Sequence, residues 1–192
     1  MNLPNKLTIS RIILTLIFLV LIRQPALWAV ISATVVFALA AITDYYDGYL
    51  AREYHLVTDF GKLLDPIADK FLILAAFLAF LRMNIVEDWM VILILGREIL
   101  VTGLRLFALR KKVVLAAAKA GKHKTVSQIV AIFVILGFII FKHSAIALSG
   151  WSKEVEIWWK IGIDAAMMMA VLLALISGAS FIISNRKLIK TQ

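Results

Sequence analysis

Asp44, Asp47, Asp65 and Asp69 stand where so apolar a chain should least tolerate acids, in the strings Asp44-Tyr-Tyr-Asp47-Gly48-Tyr-Leu-Ala51-Arg52 and Gly61-Lys-Leu-Leu-Asp65-Pro-Ile-Ala-Asp69. Carboxylates gathered beside long apolar runs repel one another and resist desolvation, so something cationic must hold them. Asp44 and Asp47 are three residues apart, and Asp65 and Asp69 four apart. On helices, each pair then shares one face. Two such faces opposed make an all-oxygen cage for hard divalent cations.

The neighbouring residues say what the cations would serve. Gly48 removes a side chain next to Asp47, where a ligand must come close. Ala51 lies one turn after Asp47 and Gly61 one turn before Asp65, so both keep the carboxylate faces clear of bulk. Arg52 offers a fork of donors suited to phosphate oxygens. Carboxylates, divalent metal, arginine and cleared backbone together describe a diphosphate site, in which two ions ~4 Å apart would stabilise both attacking and leaving oxygens. Asp59 reads differently, since Thr58 or Asp59 can cap the third helix at its N-terminus. The chain has no cysteine and no evident Ser–His pair, so direct attack by an acceptor is simpler than a covalent intermediate. Spacing does not decide which aspartate takes the acceptor's proton, because acids sharing two cations titrate as a coupled set.

The full string Asp44-x2-Asp47-Gly48-x2-Ala51-Arg52-x8-Gly61-x3-Asp65-x3-Asp69 resembles the signature of the CDP-alcohol phosphatidyltransferase family, with every specified residue present. Chain length and the six-span layout described below suit that family, so the resemblance covers nearly the whole sequence. It implies a cytosol-facing site where a CDP-linked lipid, CDP-diacylglycerol, gives its phosphatidyl group to an alcohol and releases CMP. It also implies that Asp44, Asp47, Asp65 and Asp69 ligate a pair of Mg²⁺ or Mn²⁺ ions. By the same resemblance Gly48, Ala51, Arg52 and Gly61 line the CDP-lipid pocket, and Asp69 doubles as the catalytic base.

The acceptor is sought among the cations. Arg97 and Arg105 are eight apart, two turns along one face of the fourth span. Arg97 lies near mid-membrane, where an unpaired charge is costly. Glu98, its sequence neighbour, is not expected to face it; either Arg97 serves the acceptor, or a structural partner such as Asp164, or Glu98 of a neighbouring copy, holds it. The run Lys119-Ala-Gly121-Lys122-His-Lys124-Thr125-Val-Ser127-Gln128 follows, with Lys122 and Thr125 three apart and Gly121 permitting close approach at a helix start that favours anions. Arg105, Lys122, Lys124 and Thr125 are therefore the candidate ligands of a second phosphate, carried by the acceptor. Glycerol 3-phosphate needs such a pocket; serine and inositol do not need it to the same degree. The two stretches also resemble the branch of the family whose acceptor is glycerol 3-phosphate. Serine, inositol phosphate or phosphatidylglycerol remain alternative acceptors. In the entry segment, Asn5, Thr8 and Arg11 recur at helical spacing, either reaching the site's rim or seating an interfacial helix.

These residues must be held by membrane helices. Of the 192 residues, 62% are hydrophobic, and mean hydropathy is +0.95. That exceeds an ordinary globular domain and points to an integral membrane protein with no room for a soluble domain. Six apolar spans are expected over 9–21, 26–50, 63–81, 89–109, 126–141 and 159–183, the first with an amphipathic lead-in from Leu3, in one domain over 1–192. Arg23-Gln-Pro25 follows the first span instead of a small-residue cleavage site, so that span reads as a retained helix. With helix-end residues assigned to the nearer side, the side of the N-terminus, the 51–62 and 110–125 loops and the C-terminal tail carries 14 of the 21 Lys and Arg, which makes that side, and both termini, cytoplasmic. All five tryptophans fall toward the other side and all four tyrosines surround the aspartates.

The net charge of +9 follows from basic loops and anionic lipid rather than from nucleic-acid binding. Ala166, Ala170, Ala174 and Gly178 recur every four residues, as in close helix packing or a homodimer seam; a homodimer is expected. Compactness suits a bacterial cytoplasmic membrane. A divalent-cation transporter is the competing class, opposed by the superficial depth of the acids and by Arg52 among them.

Overall fold

The fold is a computed structural model that describes the backbone of residues 3–54, 59–110, 121–147 and 150–190, and the side chains of 9–43, 70–108, 123–146 and 150–186. Six α-helices account for it: α1 Leu3–Leu21, α2 Leu27–Tyr54, α3 Asp59–Arg82, α4 Asp88–Arg110, α5 Gly121–Ala147 and α6 Lys153–Lys190. Among the described residues there is no strand.

Each apolar span read from the sequence became a helix, and most helices run past it. α2 continues to Tyr54 rather than ending at Leu50, and α5 starts at Gly121 rather than Val126. Hydropathy reports only the length suited to hydrocarbon, whereas backbone hydrogen bonding continues through polar residues beyond it. At 28 residues, α2 is ~42 Å long, longer than a ~30 Å hydrocarbon layer.

Local chemistry sets the breaks. Pro25 cannot continue α1, and the Ala26 carbonyl accepts from the amides of Ala29 and Val30 to start α2. α3 ends with Asn84 at φ 55°, while the Ile85 amide donates to the Phe80 carbonyl across the turn. This is a left-handed helix stop in which asparagine takes the place usual for glycine. Ser152 caps α6, its Oγ accepting from the Val155 amide at 3.3 Å. Within α2, the Thr34 and Thr43 hydroxyls donate to the carbonyls of Val30 and Leu39, so neither carries an unpaired polar group into an apolar span.

α3 packs against α1, α2, α4 and α5; α5 packs also on α2 and α6, and α6 on α4. Phe18, Phe37, Phe77, Phe80, Ile132 and Leu136 are fully buried between them. Phe37 meets Phe18 and Phe133 at ring separations of 5.6 Å. The small-residue stripe of α6 turns inward: Ala170 and Ala174 are buried in the core, and Gly178 abuts Arg97. It therefore serves close packing within the bundle and does not offer a seam to a second copy.

The outside is apolar as well. Val20, Ile92, Ile99, Met169, Ile176 and Ile183 are all exposed, a surface that water would not support but lipid would. Two described stretches, His123–Ile146 and Lys153–Arg186, are long and apolar enough to cross a membrane; Ile9–Leu21 and Leu27–Thr43 are apolar but shorter. The tryptophans gather around the starts of α2, α4 and α6. Trp28, Trp89 and Trp158 are exposed there, while Trp159 and Trp151 stack on Phe138 and Phe141 of α5. Lys160 of α6 reaches Glu87, just before α4, at 2.9 Å, tying two of these turns together.

Candidate active site

The aspartate motif spans one helical hairpin. Asp44, Asp47, Gly48, Ala51 and Arg52 belong to the last part of α2, and Gly61, Asp65 and Asp69 to the first part of α3. Both helices are unbroken there, so each aspartate pair shares a face of its own helix. Only residues 55–58 separate the two helices. Counting from that junction, Asp47 and Asp65 stand ~10 Å along their helices and Asp44 and Asp69 ~15 Å. The side chains of all eight motif residues, and of Lys122, Asn5 and Thr8, lie outside the described residues.

The described side chains begin at Lys70, immediately after Asp69. The Lys70 Nζ sits 3.1 Å from Glu98 Oε2, lies 3.5 Å from the Glu98 carbonyl oxygen and donates to the Thr102 hydroxyl. Glu98 is only 3% exposed, although it is an acid in the middle of an apolar helix. Arg97 Nη1 donates to Glu98 Oε1 at 3.0 Å, and Lys124 donates to the same oxygen. Arg97 Nη2 then donates to Ser177 Oγ at 2.8 Å. One carboxylate thereby connects α3, α4 and α5 and, through Arg97, α6. Among the described residues α4 and α5 do not pack directly on each other, so the Lys124–Glu98 pair bridges a gap. A buried carboxylate is tolerable only with partners of this kind.

Arg97 differs from expectation. Among the described residues its partners are its own chain's Glu98 and Ser177, not Asp164. Adjacent residues point ~100° apart on a helix, but both side chains are long enough to curl into the gap flanked by α3, α5 and α6. Gly178 leaves room for this: a Cβ there would stand 3.1 Å from Arg97 Cγ. Asp164 instead lies 3.8 Å from Lys160, on its own helix.

The expected acceptor ligands are variously situated. Lys124 is buried in the Glu98 cluster. Thr125, beside it, lines a small recess with Arg11, Phe37, Ala41, Leu72, Ile73 and Ile129. Arg105 is exposed, its guanidinium carbon 5.2 Å from the centre of the Phe181 ring. Arg11 is buried, which puts the entry segment's arginine inside the bundle. Motif and spacing give Lys70 no role, and give Glu98 one only as a partner supplied by a neighbouring copy. The signal was there, since an ionisable side chain inside an apolar helix requires a partner, but a sequence does not say which helix supplies it.

The family described as CDP-alcohol phosphatidyltransferase matches residues 1–187. The chain is 37% identical over 203 residues to the CDP-diacylglycerol–glycerol-3-phosphate 3-phosphatidyltransferase of Bacillus subtilis, covering 100% of this chain and 98% of that protein. The protein of the same name from Rickettsia bellii is 38% identical over 97% of this chain and 96% of its own. That of Salmonella paratyphi A is 39% identical over 68% and 74% respectively.

Proposed function

The chain belongs to the CDP-alcohol phosphatidyltransferase family, and from that premise we propose that it transfers the phosphatidyl group of CDP-diacylglycerol to glycerol 3-phosphate, giving phosphatidylglycerophosphate and CMP. The observation that carries this reading is the unbroken motif on the α2–α3 hairpin, four carboxylates with Arg52 and three cleared positions. Relatives matched over nearly their whole length bear the name of that transferase, which leaves a cation-transport role without support.

Four carboxylates are the donor set that hard divalent ions select, so Asp44, Asp47, Asp65 and Asp69 would hold Mg²⁺ or Mn²⁺. Such ions, when bound, supply charge neutralisation for the diphosphate. Arg52 grips phosphate oxygens, while Gly48, Ala51 and Gly61 admit the nucleotide. A free hydroxyl oxygen of glycerol 3-phosphate attacks the phosphorus that carries diacylglycerol. The new O–P bond forms as the bond to the CMP oxygen breaks, and the hydroxyl proton passes to Asp69. Arg105, Lys122, Lys124 and Thr125 hold the acceptor's own phosphate, favoured by charge.

All six helices span the bilayer in this reading, with both termini and the aspartates toward the cytoplasm of a bacterial inner membrane. The excess of Lys and Arg on that side and the tryptophans at the opposite end support it. The protein works as a homodimer, through a surface other than the inward-facing stripe of α6.

An acceptor panel tests the assignment. Purified protein in lipid–detergent micelles with CDP-diacylglycerol should release CMP with glycerol 3-phosphate and not with serine, inositol phosphate or phosphatidylglycerol. Turnover with one of those in its place would move the chain to another branch of the family.

A further inference from the structure

The Glu98 cluster does more than lock helices together. Among the described side chains it holds three cations, Lys70, Arg97 and Lys124, against one carboxylate. Arg97 and Lys124 have side chains only 9% exposed. Among the described residues, two buried donors, Arg97 Nε and the Gln128 side-chain amide nitrogen, have no hydrogen-bond partner, nor has one acceptor, Glu98 Oε2. Gln128 is 2% exposed and lies one turn beyond Lys124 on the same face of α5. Among the described side chains such a pocket is rich in positive charge: three cations share one carboxylate, whose Oε2 meets Lys70 as an ion pair at 3.1 Å. Lys70 is its most open member, with 27% of its side chain exposed, and it directly follows Asp69.

Resting on the functional reading above, we propose that Glu98 is a positioning residue for the acceptor, holding Lys70 of α3 and Lys124 of α5 in the spacing that receives a phosphate monoester dianion beside the aspartate hairpin. Among the described residues, Glu98 is the acceptor of the Lys124 ammonium. Without the carboxylate, three like charges would repel and the lysines would separate. Glu98 does not touch the phosphate; it acts through the cations.

Two effects of Glu98→Gln have opposite signs, which makes the variant informative. Removing a negative charge near an anion site would tighten binding if field strength governed it. Losing the geometry of the lysines would weaken it. Positioning requires the second: the KM for glycerol 3-phosphate should rise about tenfold or more while that for CDP-diacylglycerol changes by less than about twofold. Glu98→Asp, which keeps the charge, should recover part of the loss. Glu98→Gln with Arg97→Met removes one charge of each sign, leaves both lysines and guards against misfolding; it should show a cooperative unfolding transition in detergent yet keep the raised acceptor KM. An unchanged or lowered acceptor KM in Glu98→Gln, or a normal one in the double variant, would overturn the proposal. Should the double variant also fail to fold, the partial recovery in Glu98→Asp decides, and a normal acceptor KM there beside an inactive Glu98→Gln would also overturn it. Absence of CMP release from the unmodified protein would instead remove the functional reading itself.

Discussion

Glu98 shows how far a single residue's role departs from its appearance in a sequence. It is a carboxylate between apolar residues, next to an arginine that helical geometry turns away from it. In the bundle it holds that arginine and two lysines. Arg97 contributes charge-assisted bonds to both Glu98 and Ser177, and such bonds to buried groups are worth a few kcal/mol. Replacing Arg97 with Leu should therefore lower stability by about 2 kcal/mol, read from denaturant unfolding in micelles. At this scale the residue types and spacing were enough to place each aspartate pair on its own helix. The partners of Arg97 were not legible in this way, because they depend on which helices meet.

At the scale of elements, two glycine-like positions decide the packing. Asn84 ends α3 in the left-handed region, which a β-branched residue resists. Asn84→Val should destabilise by ~1–2 kcal/mol, whereas Asn84→Gly should be neutral within a few tenths of a kcal/mol, as measured by the midpoint of thermal unfolding. Gly178 lets α6 approach the Arg97 side chain, whose Cγ would lie 3.1 Å from an added Cβ. A leucine there has nowhere to go while Glu98 and Ser177 hold the guanidinium, so Gly178→Leu should cost ~1–3 kcal/mol. The spans themselves were readable from hydropathy and turn residues, as Pro25 and the Asn84 turn illustrate. Their true ends were not, because helices such as α5 continue through polar residues that no apolar window includes.

For the whole molecule, the apolar exterior and the tryptophan-rich end describe a bundle made for lipid. Orientation is open to a direct test, since the chain has no cysteine to remove. Single cysteines at Gln24 and Ser152 should react with an impermeant thiol reagent from outside intact cells, and one at Lys187 only after the membrane is opened. The reverse pattern would invert the topology. The gathering of tryptophans at one end was readable from their places beside the turns, whereas the polar cluster joining α3, α4, α5 and α6 emerged only when all of them were assembled.

The most direct measurement is metal-dependent CMP release from CDP-diacylglycerol and glycerol 3-phosphate by the unmodified protein and by Asp44→Asn, Asp65→Asn and Asp69→Asn. If these carboxylates hold the ions and take the proton, chelation should abolish release and restored Mg²⁺ or Mn²⁺ should recover it. Each substitution should then lower kcat by about a thousandfold or more in folded protein. Near-normal turnover by all three variants, or full activity in excess chelator, would contradict the central claim.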